Sequence, residues 1–238
     1  MLCAAVAYKS DPVELGINLL NMQNMCLEAA NIGSKLVVFP ELSLGGQLAS
    51  SMQEAHLCSQ NVDGFAIQEM ANLAKRLGIY IAFGYIESSF DVFYNSVCVV
   101  GPSGVIANVR KSNLNGRELL WAKSSEAQRT ILNMPGLRVG VLAGKDLEKN
   151  TYSGGTIYAD SSVDLILSPN AINGDYMYPN DNWVDTSLEL QSAVIVANRW
   201  GQEHPSTLYG GACVINNKAQ IYAEGNQFQC DCIVYGEV

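Results

Sequence analysis

Three charged residues stand where apolar segments end, positions from which a rigidly held side chain can take part in acid–base chemistry. Glu41 follows the apolar run VVFP, Lys111 follows VIANVR, and Glu118 comes seven residues later in NGREL. A charge buried at such a position must be compensated, so two carboxylates and an ammonium group can pair with one another. The set can supply a general base and a cation that stabilises an oxyanion. Taken singly, each residue is more typical of a solvated or salt-bridged surface position.

Other residue types offer less chemistry. The two histidines, His56 and His204, are interpreted as surface or loop residues. The seven cysteines lie mostly in apolar stretches and are odd in number, so reduced, buried thiols are expected. Cys230 and Cys232 form a C-x-C pair, but no second cysteine pair or histidine cluster accompanies them. The sequence therefore predicts no metal site and no cofactor.

The elements that position the charged residues alternate between strand and helix. The run LCAAVAY predicts a strand, and Ser10-Asp11-Pro12 predicts a helix that begins near Pro12 and ends at Gly33. The run KLVVFPEL predicts a buried strand that delivers Glu41 to its C-terminal end, where ligand sites of such sheets collect.

The same plan continues along the rest of the chain. Hairpins are predicted at 93–100 with 105–110 and at 212–215 with 220–223; helices at 64–77, 156–160 and 183–191; and strands at 79–84, 137–142, 165–168 and 193–198. No linker or change of composition interrupts this order, so one domain spanning residues 1–238 is expected. Strands this apolar predict an α/β protein with a two-sheet core and helices outside.

Charge and hydropathy exclude some classes of partner. The net charge of −9 argues against general affinity for nucleic acid or for an anionic membrane, since both require a basic surface. No apolar run approaches the roughly 20 residues that span a bilayer. The cytoplasm is the expected location.

In their order and spacing, several segments resemble the nitrilase-type carbon-nitrogen hydrolase family. They are KLVVFPEL, FYNSVCVVGPSGVIANVRKSNL, GRELLW, RVGVLAGKDLE, DLILSPNA, LELQSAVIVANRWG and LYGGACVI. The resemblance covers nearly the whole chain and implies the family's four-layer αββα sandwich. It also implies hydrolysis of small non-peptide carbon–nitrogen bonds, an amide- or nitrile-like ligand, and assembly as a homodimer or higher homo-oligomer.

The resemblance assigns Glu41 as the base, Lys111 as the oxyanion-stabilising cation and Glu118 as the second glutamate. It places Gly144 at the position of the family's nucleophilic cysteine. Glycine has no side chain with which to attack, so the chain is predicted to be inactive by the family's covalent route. A further departure, Lys149-Asn150-Thr151 in place of an aromatic-proline-glutamate run, favours natural drift over one laboratory substitution.

Alternatives remain open at this point. The chain can be a pseudoenzyme that binds a small molecule or a protein partner, or a laboratory variant of an active amidase. A water activated by Glu41 can also replace the missing thiol. Cys98 and Cys213 lie on apolar strands and are interpreted as inert core thiols.

Three further residues are candidates for substrate binding. Lys145 adds a cation beside Gly144, Asn170 ends the strand-like run DLILSPN, and Tyr176 is an aromatic residue that can line a pocket. Pocket walls come from loops whose geometry the sequence does not fix, so it does not identify the substrate.

Overall fold

The computed structural model describes residues 1–11, 13–45, 49–126, 130–147, 158, 161–172, 181–203, 206–225 and 229–238. The strands in these ranges are β1 (Leu2–Ala7), β2 (Leu36–Val38), β3 (Tyr80–Ser89), β4 (Val92–Gly101), β5 (Gly104–Arg110), β6 (Ile131–Met134), β7 (Leu137–Val141), β8 (Leu165–Asn170), β9 (Ala193–Asn198), β10 (Trp200–Glu203), β11 (Ser206–Tyr209), β12 (Ala212–Ile215), β13 (Ile221–Gly225) and β14 (Cys232–Glu237). The helices are α1 (Leu15–Ile32), α2 (Met52–Cys58), α3 (Phe65–Leu77) and α4 (Asp181–Leu190), with 3-10 turns at Gly116–Leu120 and Gly144–Leu147.

The larger strands form two six-stranded sheets of matching design. The first has the order β14-β1-β2-β3-β4-β5, and the second has the order β13-β12-β9-β8-β7-β6. In each sheet three neighbouring strands are parallel, β1-β2-β3 in one and β7-β8-β9 in the other. Antiparallel strands flank both parallel sets.

Alternate residues of the parallel strands are buried on opposite faces of each sheet. Leu36 and Val38 of β2 belong to the core cluster between the two sheets, whereas Val37 faces the cluster beneath α1 and α3. In the second sheet Val194 of β9 faces outward, where Trp183 of α4 packs. Helices, sheet, sheet and helices thus form four layers, which confirms the predicted αββα fold. Burial on both faces explains why these strands are almost wholly apolar.

The first helix starts later than the sequence predicted. Helix α1 begins at Leu15 rather than near Pro12, and its N-cap Glu14 makes no side-chain capping bond. Val13 has a left-handed φ of +62°, which is incompatible with a helical start there. The Asn18 side chain closes the preceding loop by accepting from the Asp11 N–H at 2.7 Å and donating to the Asp11 carbonyl at 2.8 Å.

The bounds of other elements are compared with the sequence prediction in the same way. The strand predicted at 79–84 extends to Ser89, because it pairs with β4 along its whole length. Helix α1 ends as predicted before Gly33, whose φ of +99° is left-handed. The helix predicted at 156–160 lies outside the described residues, apart from Tyr158. No helix in the described part of the chain combines the length and hydrophobicity needed to cross a membrane.

Candidate active site

Glu41 lies in the turn that follows β2, held by backbone bonds to both sheets. Its N–H donates to the Asn170 carbonyl of β8 at 3.3 Å, and the Gly84 N–H of β3 donates to the Pro40 carbonyl at 3.1 Å. A β-carbon on Gly84 would lie 2.6 Å from the Glu41 Cα, so only glycine lets this turn approach β3 so closely. The turn therefore has a fixed place between the sheets.

Lys111 and Glu118 reach the same place from the other side. Lys111 directly follows β5, and its N–H donates to the carbonyl of Asn95 in β4 at 2.8 Å. Glu118 lies in the first 3-10 turn and forms a capping box with Asn115, whose N–H donates to Glu118 Oε2 at 3.1 Å. Hydrogen bonds outside the charged cluster thus help to fix the positions of both residues.

The charged side chains meet in one buried cluster. Lys111 Nζ lies 2.5 Å from Glu41 Oε1, and it lies 2.8 Å and 2.9 Å from the two carboxylate oxygens of Glu118. Asn95 Nδ2 donates to Glu41 Oε1 and to Glu118 Oε1, both at 2.6 Å. No more than 3% of any of these four residues is exposed. The structure therefore brings together the three charged residues singled out in the sequence and adds Asn95 to them.

Gly144 lies beside this cluster, at the start of the second 3-10 turn and shortly after β7 ends. Its φ of +49° is left-handed. A β-carbon added to it would lie 2.7 Å from Glu41 Oε2 and 3.0 Å from Lys111 Nζ. Any side chain at position 144 would begin between the carboxylate and the ammonium group.

Asp146 fastens the Gly144 turn to the segment after Lys111. Its buried carboxylate accepts from the Ser112 N–H at 3.0 Å, and it accepts from the Asn113 N–H and side-chain amide, both at 2.8 Å. Burial raises the pKa of Asp146, against the effect of these bonds. One carboxylate therefore joins the Gly144 turn to the segment that follows Lys111.

The surroundings shift the pKa values of the two glutamates in opposite directions. Burial opposes ionisation of Glu41, but the charge of Lys111 and hydrogen bonds from Lys111 and Asn95 outweigh it and lower the Glu41 pKa. Burial raises the pKa of Glu118 to about 7, with the charge of Lys111 opposing the shift and the charge of Glu41 adding to it. Burial alone would lower the pKa of Lys111, yet the two glutamates raise it. Of the two carboxyl groups, Glu118 is therefore the one that retains its proton to higher pH.

Comparison with known proteins identifies the family. The model of the carbon-nitrogen hydrolase family matches residues 2–238. The chain belongs to the carbon-nitrogen hydrolase family. It is similar to the nitrilase of Pyrococcus abyssi, with 27% identity over 211 residues, or 88% of this chain and 79% of the relative. It is also similar to the omega-amidase of Danio rerio, with 28% identity over 166 residues, or 66% of this chain and 58% of the relative.

Solved structures with this fold include the amidase of Nesterenkonia sp. AN1. A glutamate-to-glutamine variant of that amidase, with acrylamide added at the active-site cysteine, has a TM-score of 0.84 and 18% identity, over 100% of this chain and 93% of the other. A cysteine-to-alanine variant in complex with butyramide has a TM-score of 0.83 and 18% identity, over 99% of this chain and 89% of the other. At this level of identity the likeness establishes the fold.

Of the three predicted substrate-binding residues of this carbon-nitrogen hydrolase family member, the structure describes Lys145 and Asn170. Lys145 follows Gly144 directly and is half-buried. The Asn170 side-chain amide donates to the Ser168 carbonyl at 2.8 Å and to the Ser168 hydroxyl at 2.9 Å. Asn170 contacts Glu41 through its backbone carbonyl, which accepts the Glu41 N–H. Tyr176 lies outside the described residues.

Neither cysteine considered as a substitute nucleophile lies on an open surface. Cys98 is fully buried in the core cluster beneath α1 and α3, and burial raises its pKa to about 12. Cys213 is fully buried in the cluster beneath α4. Within the described ranges, no group of three or more His, Cys, Asp or Glu residues is arranged to hold a metal ion.

Sequence reasoning missed Asn95 as a site residue. The available signal was an asparagine within the strand-forming run FYNSVCVV, where a buried polar side chain requires a partner. Its partners are 54 and 23 residues away along the chain, so the strand itself does not identify them.

Proposed function

We propose that this member of the carbon-nitrogen hydrolase family binds a small carboxamide and does not cleave it. One arrangement carries the proposal: Glu41 Oε2 and Lys111 Nζ flank the point at which a side chain at position 144 would begin, and glycine supplies no nucleophile there. The base and the cation of a covalent mechanism remain, but the atom they would act on is missing.

The two flanking groups complement a carboxamide. Asn95 and Lys111 both donate to Glu41 Oε1, and Oε2 is the oxygen that faces Gly144. The ionised carboxylate can accept a ligand N–H, while the Lys111 ammonium group can donate to the ligand carbonyl. An amide presents this donor and acceptor on adjacent atoms, whereas a nitrile has no N–H to offer. A primary amide is therefore favoured over a nitrile as the ligand.

The butyramide complex of the Nesterenkonia amidase supports non-covalent binding. In that variant alanine replaces a cysteine, and the amide is still held. Glycine at position 144 leaves more room than alanine. A ligand of similar size is therefore the natural probe for this chain.

Butyramide binding and turnover test the proposal together. Calorimetry should detect butyramide binding, and an ammonia assay should show release no faster than in buffer. Replacing Glu41→Gln removes a charged acceptor and should weaken binding about tenfold or more. The matched control is Asp63→Asn, which removes an exposed carboxylate and should leave binding unchanged.

Two outcomes contradict the proposal in different ways. Ammonia release that Glu41→Gln abolishes would mean that Glu41 activates a water and that the chain is a working hydrolase. If neither binding nor release occurs with butyramide, acetamide or propionamide, the carboxamide site itself is refuted.

A further inference from the structure

Asn95 occupies the centre of the buried cluster rather than its edge. It lies in β4, and only 1% of it is exposed. Its single amide nitrogen donates to Glu41 Oε1 and to Glu118 Oε1, each at 2.6 Å. One side chain thus links two carboxylates that come from different loops.

The orientation of the Asn95 amide follows from its surroundings. A side-chain amide has two N–H donors, and both are used on the glutamates. The reversed amide would place Oδ1 against two carboxylate oxygens, which repel it. Asn95 Oδ1 is itself buried and has no hydrogen-bond partner in the described part of the chain. The site therefore uses this side chain only for its two donors.

The backbone of the same residue holds the third charged group. The Asn95 carbonyl accepts the Lys111 N–H at 2.8 Å, where β4 and β5 end their pairing. We propose that Asn95 is a positioning residue, which fixes both glutamates through its amide and Lys111 through its carbonyl. By holding Oε1 of Glu41, it turns Oε2 toward Gly144.

The positioning role of Asn95 rests on the proposed carboxamide site, and it also predicts a change in the glutamate pKa values that can be measured without a ligand. Hydrogen bonds to a carboxylate favour its ionised form, and Asn95 is among the groups that lower the pKa of Glu41. Without the two donors, both macroscopic midpoints of the coupled glutamates should rise. A residue that only filled space would not move them.

Carbon-13 NMR of protein labelled at the glutamate carboxyls measures these midpoints directly, with Glu41→Gln and Glu118→Gln assigning the two signals. Asn95→Leu keeps a similar volume and removes both donors, so the midpoints should rise by about one pH unit or more. The matched control is Asn108→Leu, because Asn108 donates to Glu87 at 2.8 Å in a separate network. This control should leave the Glu41 and Glu118 midpoints unchanged.

Butyramide affinity gives a second readout, with about a tenfold loss expected in Asn95→Leu and none in Asn108→Leu. If Asn95→Leu does not fold, Asn95→Ser takes its place; it keeps one donor and should give a smaller upward shift. Unchanged midpoints in the Asn95 variant, or equal shifts in both variants, would overturn the positioning role. If the unaltered protein does not bind butyramide, the proposed function fails, and the carboxyl titration still decides the role of Asn95.

Discussion

Glu41 Oε2 lies 2.7 Å from the point that a β-carbon on Gly144 would occupy, closer than two non-bonded heavy atoms normally approach. The carboxylate is the end of a flexible side chain, so it can retreat by a few tenths of an ångström. Asn95 and Lys111 hold its other oxygen, which limits that retreat. A side chain at position 144 therefore requires the Glu41 carboxylate to shift.

Gly144→Cys should destabilise the protein by about 1–2 kcal/mol, because a residue with a β-carbon must adopt the left-handed φ of +49°. Gly144→Ala carries the same strain and serves as the control. Urea unfolding should show similar losses for both variants. Only the cysteine variant should release ammonia from butyramide, and Glu41→Gln should remove that activity. Activity in the alanine variant would show that the thiol is not the missing group.

Lys111→Met should cost about 3–5 kcal/mol at pH 8, because it leaves two buried carboxyl groups without their cation. The unpaired glutamates would have folded-state pKa values above their unfolded values. Their contribution to stability is therefore lost as the pH rises, and the deficit should shrink between pH 8 and pH 5. Urea unfolding at both values measures it. Lys123→Met, at an exposed position, is the control; an equal deficit at both pH values would contradict the coupling.

The stability of Glu118→Gln, measured relative to the unaltered protein, should be higher at pH 8 than at pH 5. Burial raises the pKa of Glu118 to about 7 from an ordinary 4.5, so the folded state binds more protons between these values. The resulting contribution to stability is present below pH 4.5 and is lost as the pH rises through 7. Glutamine cannot titrate, so the variant avoids this loss, worth roughly 1–3 kcal/mol. Thermal unfolding of both proteins from pH 5 to 8 measures the difference, and parallel curves would exclude a raised pKa.

The charged residues at strand ends could be predicted from the sequence because the apolar runs that mark them are local signals. Glu41 and Lys111 each follow an apolar run, and such runs end at one edge of a sheet. Asn95 could not be assigned, since its role depends on Glu41 and Glu118, which lie 54 and 23 residues away along the chain. The late start of α1 was also hidden, because the left-handed φ of Val13 is not a property of its residue type. Tertiary context decided both.

A second buried network, centred on Glu87, is built from residues on β3, β4 and β5, and β4 is also the strand that carries Asn95. Glu87 accepts from Ser96 Oγ at 2.7 Å, from Asn108 Nδ2 at 2.8 Å and from Arg110 Nε at 2.9 Å. Arg110 also stacks on Tyr94, with its guanidinium carbon 3.8 Å from the ring centre. These bonds join β3, β4 and β5 to one another.

Glu87→Gln should lower stability by about 1–3 kcal/mol at pH 7, since the amide offers one acceptor where the carboxylate offers two. Burial opposes ionisation of Glu87, but its bonds to Arg110, Ser96 and Asn108 lower the pKa. A depressed pKa contributes stability above the unfolded value of about 4.5 and loses it as the pH falls through the folded value. The variant's deficit should therefore disappear in acid, below the unfolded pKa of about 4.5, whereas the deficit of Lys111→Met shrinks already between pH 8 and pH 5. Urea unfolding from pH 7 to 3 measures it, with the exposed Glu28→Gln as control. A deficit that persisted in acid would show that packing, rather than charge, determines the contribution of Glu87.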